Sequence, residues 1–363
     1  MKRLELETDL GVIIENARSI RARLKPGVKM LAVVKADAYG HGDTKVAEAL
    51  DRAGLADEFA VATPFEGARV RTVTQKPITV LGQAQGAEEY EQSAKNALIQ
   101  CVYSQDGLGQ LSLAAQKTGV VGLAALKAET GMNRLGAREN EIPELLAAWP
   151  KNVKMAGLFT HFCVADTDPE FTLKQKQIFE RVCKAVYARG FTPVRHAAAS
   201  TAMLKSGFEF DMVRAGIALY GTGVNELKDV VVPAQRLISR AARIITLEPG
   251  ETVGYGRRFT AARQTRVMTV PCGYGDGYPR LLGGRAQLLV DGKRANIIGN
   301  VCMDMLMADV TDIESASEES EVVLLGRSGS ERITPGELAE KAGTIPYEIM
   351  LGFSNRVERS WKY

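Results

Sequence analysis

What this sequence has little of narrows the field first. Its five cysteines, Cys101, Cys163, Cys183, Cys272 and Cys302, are odd in number and form no CxxC pair, which argues against a disulfide framework and against a structural zinc. The three histidines, His41, His161 and His196, have no partner at helical i, i+4 spacing, so no metal site is expected. Net charge is only +3 and no block of like charge occurs, so neither nucleic acid nor a membrane surface is an expected partner, and a small molecule is. No apolar run approaches a membrane span. The opening MKRLELETDL alternates charged and apolar residues without the apolar stretch of a signal peptide, and a cytoplasmic protein is expected.

The chain does have apolar mass: 45% of its 363 residues are hydrophobic and 25% charged, enough for a substantial core, and the length suits two domains. Short apolar runs recur at LAVVKA, FAVAT, ITVLG, LIQCVYS, VGLAALKAE, MAGLFTHF, VRHAAAS and MVRAGIALYG. Helix-period segments lie between most of them. In FTLKQKQIFERVCKAVYARG, for example, Ile178, Val182 and Val186 share a face. Continuous apolar strands alternating with amphipathic helices imply parallel pairing with both faces covered. Eight such units fit a (β/α)8 barrel of about 250 residues. No GxGxxG follows the first strand, which disfavours an open dinucleotide-binding sheet. After about residue 232 the texture changes to short strands punctuated by Gly, Pro, Asn and Asp, with one clear helix near PGELAEKAG. The expected α/β organisation is a barrel over 1–232 and a mostly antiparallel β domain over 233–363, which the N-terminal strand 1–7 could join. A helix preceding the first barrel strand is expected to start from Thr8 or Asp9.

Barrels carry their chemistry at the C-terminal ends of their strands. Lys35 closes the first apolar run, where a lysine is costly to bury. Lys127, His161, His196 with Ser200, and Arg214 followed by Gly216 and Ile217 close the fifth to eighth. Singly, such residues are salt-bridge partners, core histidines or helix caps; six together at one mouth suggest a site. A desolvated lysine has a lowered pKa and can attack an aldehyde. Pyridoxal phosphate is the obvious aldehyde, with Gly216, Ile217, Ser200 and Tyr39 able to bind its phosphate.

AVVKADAYGHG, LKAETGMNRLG, HFCVAD, RAGIALYG, GYGDGY and VCMDM, in this order and at these separations, resemble the alanine racemase family over essentially the whole chain. The resemblance implies a homodimer with shared active sites that interconverts L- and D-alanine through an external aldimine of pyridoxal phosphate, supplying D-alanine for peptidoglycan. It assigns Lys35 to the Schiff base and to one catalytic base, and Tyr274 of the partner subunit to the other. Arg214 then faces the pyridine nitrogen, and His161 links Tyr274 to Arg214. Arg134 and the partner's Met303 backbone hold the substrate carboxylate. Tyr39, Ser200, Gly216, Ile217 and Tyr347 surround the phosphate. Lys127 matches a position that is carbamylated in some members, with a Lys127 to Glu129 salt bridge as the alternative. No metal is implied.

The chain departs from the family pattern at Ala199, Asn133 and Glu129, where asparagine, glycine and aspartate are usual, and in its ending NRVERSWKY. Competing expectations are a serine or broad-specificity racemase and a non-catalytic binder of the cofactor. A decarboxylase on the same barrel would place a carboxylate, not Arg214, toward the ring nitrogen.

Overall fold

The computed structural model of the chain describes residues 2–223 and 225–363. Its first strand, β1 (Leu4–Asp9), leads into the helix Leu10–Arg21, and Asp9 Oδ1 accepts from Val12 N at 3.0 Å as an N-cap does. The strands β2 (Lys29–Val33), β3 (Glu58–Val61), β4 (Ile78–Val80), β5 (Ile99–Val102), β6 (Gly122–Lys127), β7 (Val153–Phe159), β8 (Val194–Ala199) and β9 (Met212–Ala215) coincide with the eight apolar runs. They pair in parallel in sequence order, and β2 pairs with β9 to close the barrel. Strands covered on both faces need apolar residues at every position, which is why Leu31, Ala32, Phe59, Ala60, Ala124 and Ala125 are all buried.

The helix Pro169–Ala188 buries Phe179, Val182, Cys183 and Val186. Ile178, expected on that face, is only partly covered, and Phe179 occupies the place it was assigned. A core-facing stripe spans about 100° or more, so adjacent residues compete for it and the larger ring wins.

The remaining strands are β10 (Gln235–Arg240), β11 (Arg243–Leu247), β12 (Thr252–Val253), β13 (Phe259–Thr260), β14 (Thr265–Val270), β15 (Gln287–Val290), β16 (Lys293–Ile298), β17 (Leu306–Asp309), β18 (Glu321–Ser328), β19 (Glu331–Ile333) and β20 (Glu358–Lys362). Most join one sheet in the order β11-β14-β17-β16-β15-β18-β10-β1-β20. Within it β1 runs antiparallel to β10 and parallel to β20. The chain thus divides into two compact units, one holding Ile14–Leu219 and the other Val232–Tyr363 with the N-terminal strand. Besides the expected helix, Pro335–Ala342, this second unit has another, Pro346–Leu351, too short for its apolar period to be read. No helix among the described residues is long and apolar enough to cross a membrane.

Candidate active site

Lys35 does not end its strand but starts a turn. After β2 the next four residues, Ala36, Asp37, Ala38 and Tyr39, all have φ between +52° and +55°, one turn of left-handed helix. Each such L-residue costs roughly 1–2 kcal/mol, so the turn persists only because its surroundings hold it. Ala38 N donates to Val34 O at 2.9 Å, Gly42 N to Asp37 O at 2.9 Å, and Ala36 N to Glu66 Oε1 at 2.8 Å. Burial lowers the Lys35 pKa, helped by the positive charges of Arg134 and Arg214, so a larger share of its amine is unprotonated and nucleophilic.

Arg214, fully buried at the end of β9, is the centre of the barrel mouth. One terminal nitrogen donates to His196 Nδ1 at 2.9 Å and His196 O at 3.1 Å. The other reaches His161 Nδ1 at 3.0 Å, Thr160 O at 2.8 Å and Ala197 O at 2.6 Å. A guanidinium only donates, so both rings must accept at Nδ1 and carry their proton on Nε2. Electrostatics agree: burial, then the Arg214 charge, pulls His161 down to about 3 and His196 well below its ordinary value. His196 also stacks on Phe159, centroids 5.0 Å apart and planes 2° apart. Behind His161, the buried Gln175 amide donates to its carbonyl at 3.2 Å. His196 and Gln175 thus support Arg214 and His161; His196, expected to close its strand, instead lies inside β8, which runs on to Ala199 and leaves Ser200 at the strand end.

Ser200 Oγ accepts from Gly216 N at 3.1 Å and Ala218 N at 3.3 Å, where β9 passes into the 3-10 turn Ile217–Tyr220. A β-carbon on Gly216 would lie 2.9 Å from Tyr39 Oη and 3.8 Å from Ser200 Oγ. The left-handed turn thereby brings the Tyr39 hydroxyl, the Ser200 hydroxyl and the Gly216–Ile217 backbone to one place.

The Lys127 to Glu129 salt bridge is not formed. Glu129 turns its carboxylate onto the backbone, accepting from Gly131 N. Lys127, 5% exposed, makes no ion pair among the described residues; its ammonium lies 5.4 Å from the Phe159 ring centre, and burial lowers its pKa. Asn133 has φ +53°, a conformation free to glycine and tolerated by asparagine, which accounts for that departure. Arg134 follows it, exposed to solvent.

In the other unit, the two tyrosines of GYGDGY part company. Tyr278 is fully buried in the core, whereas Tyr274 is 42% exposed. Tyr274 N donates to Cys302 O at 3.0 Å and Gly275 N to Met303 O at 2.8 Å, so Tyr274 and Met303 sit on adjoining loops. They line an apolar concavity of about 870 Å³ with Val253, Tyr255, Met305 and Met307. Tyr347 lies on the helix Pro346–Leu351.

Residues 8–223 match the family model for the alanine racemase N-terminal domain and residues 234–361 that for the alanine racemase C-terminal domain. The chain belongs to the alanine racemase family. It is 38% identical over 367 residues to an alanine racemase of Halothermothrix orenii, covering 98% of this chain and 96% of the relative. Among solved structures it matches the alanine racemase from D-cycloserine-producing Streptomyces lavendulae, with a TM-score of 0.93, 31% identity and coverage of 100% and 98%. It also matches the Bacillus anthracis alanine racemase with bound L-Ala-P, with a TM-score of 0.91, 30% identity and coverage of 100% and 96%.

The family is pyridoxal-phosphate dependent, and two observations test the fit of this barrel to that group. Arg214 has its terminal N–H groups engaged and only Nε–H without a partner among the described residues, leaving one donor for a ring nitrogen. The hydroxyls and backbone at Gly216 form the small polar cradle a phosphate needs. The residues fit.

Proposed function

We propose that this chain is an alanine racemase in which Lys35 and Tyr274 handle the α-proton, with Lys35 also the attachment point of pyridoxal phosphate. The arrangement of Arg214 between two neutral histidines is the observation that carries this reading. Pyridoxal phosphate, when bound, supplies an aldehyde and an electron sink that acidifies the α-hydrogen of an attached amino acid.

The chain's own residues do the rest. Removing a proton from one face and returning one to the other needs two acid/base groups on opposite sides. The Lys35 amine, its pKa lowered, is one. A phenol has an ordinary pKa near 10 and needs its anion stabilised. His161 is suited to that, because Arg214 occupies its Nδ1 and leaves its Nε2–H to donate. Arg214 itself, buried and cationic, opposes protonation of a nearby ring nitrogen and so keeps the sink weak. Tyr39, Ser200, Gly216 and Ile217, with Tyr347, hold the phosphate; Arg134 and the Met303 backbone hold the substrate carboxylate. Lys127, buried with no ion-pair partner among the described residues, suits carbamylation, which would place an anion beside Arg134.

The active unit in this proposal is a homodimer in which Tyr274 and Met303 serve the neighbour's barrel. Support comes from the apolar, exposed surface around them, with Met303 52% and Met305 45% exposed, the kind of patch that marks an interface. The role proposed is cytoplasmic supply of D-alanine for peptidoglycan. Incubating the purified protein with pyridoxal phosphate and L-alanine, with L-serine in parallel, and following the D-isomer with D-amino-acid oxidase tests the reading. D-alanine should form in preference to D-serine. Cofactor binding without D-alanine would reject it in favour of a binder, and preferred D-serine in favour of a serine racemase.

A further inference from the structure

Asp276, two residues beyond Tyr274, has a carboxylate with no solvent exposure at all. Arg3 from the sheet's β1 end donates to Oδ1 at 2.7 Å and Oδ2 at 3.4 Å. Arg356 approaches Oδ1 at 3.4 Å, and Gly273 N donates to Oδ2 at 3.0 Å. Burying an ion needs this degree of compensation, and removing one partner strands the others. A carboxylate that merely capped the short Tyr274–Asp276 turn would need only the Gly273 bond.

Arg356 does more than neutralise. Its terminal nitrogen also pairs with Asp304 at 2.7 Å, the residue after Met303. Ser354, two residues earlier, donates from its hydroxyl to Gly275 O at 3.0 Å and from its backbone to Asp276 O at 3.0 Å. The contact is tight as well: side chains at Gly273 and Gly275 would collide with the Met303 backbone or Arg356. The Tyr274 loop, the Met303 loop and the segment Ser354–Arg356 are therefore tied into one body by a buried charge.

We infer that Asp276 and Arg356 are positioning residues for the reaction: through their ion pair they fix the Tyr274 phenol and the Met303 backbone relative to each other. The inference rests on the proposal that those two groups serve proton transfer and substrate binding. Displacing a reacting group by about an ångström can cost on the order of 10²-fold in rate.

The test uses the full-length holoenzyme. Arg356→Gln removes the bridge from a half-exposed position, and Asp304→Asn breaks only the Met303 end; neither depends on emptying the buried Asp276 site. In deuterated solvent, exchange of the α-hydrogen and inversion are followed separately for each enantiomer, together with KM and kcat. For Arg356→Gln, inversion should fall by roughly 10- to 100-fold and KM should rise. Exchange without inversion should persist in one enantiomer only, the one whose proton Lys35 removes. Asp304→Asn should raise KM with a smaller loss in kcat. Arg356→Lys, which cannot span both carboxylates, should recover only part of either effect. Tyr274→Phe is the reference. If it shows the one-sided exchange and Arg356→Gln does not, or if Arg356→Gln lowers the unfolding temperature alone, the positioning role is wrong. If Tyr274→Phe itself shows no asymmetry, the failure lies with Tyr274 as a base.

Discussion

Arg214 donates to His161 Nδ1 at 3.0 Å. A permanent donor on that nitrogen decides the tautomer of the ring, and with burial it keeps His161 neutral, at about 3, across the working pH range. The histidine is therefore a fixed hydrogen-bond donor at Nε2 and not a titrating acid.

Replacing Arg214 by glutamate should expose its control over reaction outcome. A carboxylate favours a protonated, stronger electron sink, whereas the guanidinium opposes it. Arg214→Glu should lose racemisation and release more pyruvate per D-alanine formed. Loss of racemisation with no change in that ratio would mean Arg214 acts only as a structural support.

Glu58 offers a pH-dependent stability test away from the reaction. It is buried at the start of β3, receives the Thr79 hydroxyl, and is pushed up by burial to about 7 from an unfolded value of 4.5. The folded state holds its proton more tightly, so this contribution is fully present below about pH 4.5 and is lost as pH rises toward 7. A displacement of that size corresponds to about 3 kcal/mol. Glu58→Gln, which can still accept from Thr79, should raise the unfolding midpoint at pH 8 and leave it nearly unchanged at pH 4. Equal effects at both pH values would show that Glu58 does not titrate in this range.

Asn133 should behave as a backbone substitution. With φ at +53°, Asn133→Gly should be close to neutral in thermal stability, and Asn133→Ala should lose about 1 kcal/mol. Equal losses for both would point to the side chain, whose amide lies 3.4 Å from Gly131 O.

The barrel was legible because parallel strands covered on both faces leave uninterrupted apolar runs, and all eight runs became strands. The residues gathered at its mouth were legible by position, because Lys127, Ser200, Arg214 and Gly216 fall at or next to strand ends, whereas His196 lies inside β8. What escaped has no one-dimensional signature. Nothing in Ala36-Asp37-Ala38-Tyr39 announces a left-handed turn, since alanine has no preference for it; the conformation is imposed by Glu66 and the barrel mouth. Gln175 reads as one more polar residue on a helix until its amide meets the His161 carbonyl. The Lys127 to Glu129 pair was plausible by spacing and is absent because the backbone N–H of Gly131 takes the carboxylate. That Tyr274 and not Tyr278 is presented to the outside depends on how the GYGDGY turn packs against the Met303 loop.

The central claim is that Lys35 of one subunit and Tyr274 of another flank one substrate, and mixing two inactive proteins tests it most directly. Lys35→Ala lacks the amine, and Tyr274→Phe lacks the phenol while keeping the lysine. Each alone should lose roughly 10²–10⁴-fold or more in rate. After subunit exchange, a heterodimer has one barrel with Lys35 faced by an intact Tyr274 from its partner, so activity should return in the mixture. If heterodimers form and no turnover returns, the two residues do not meet across subunits and the account is contradicted.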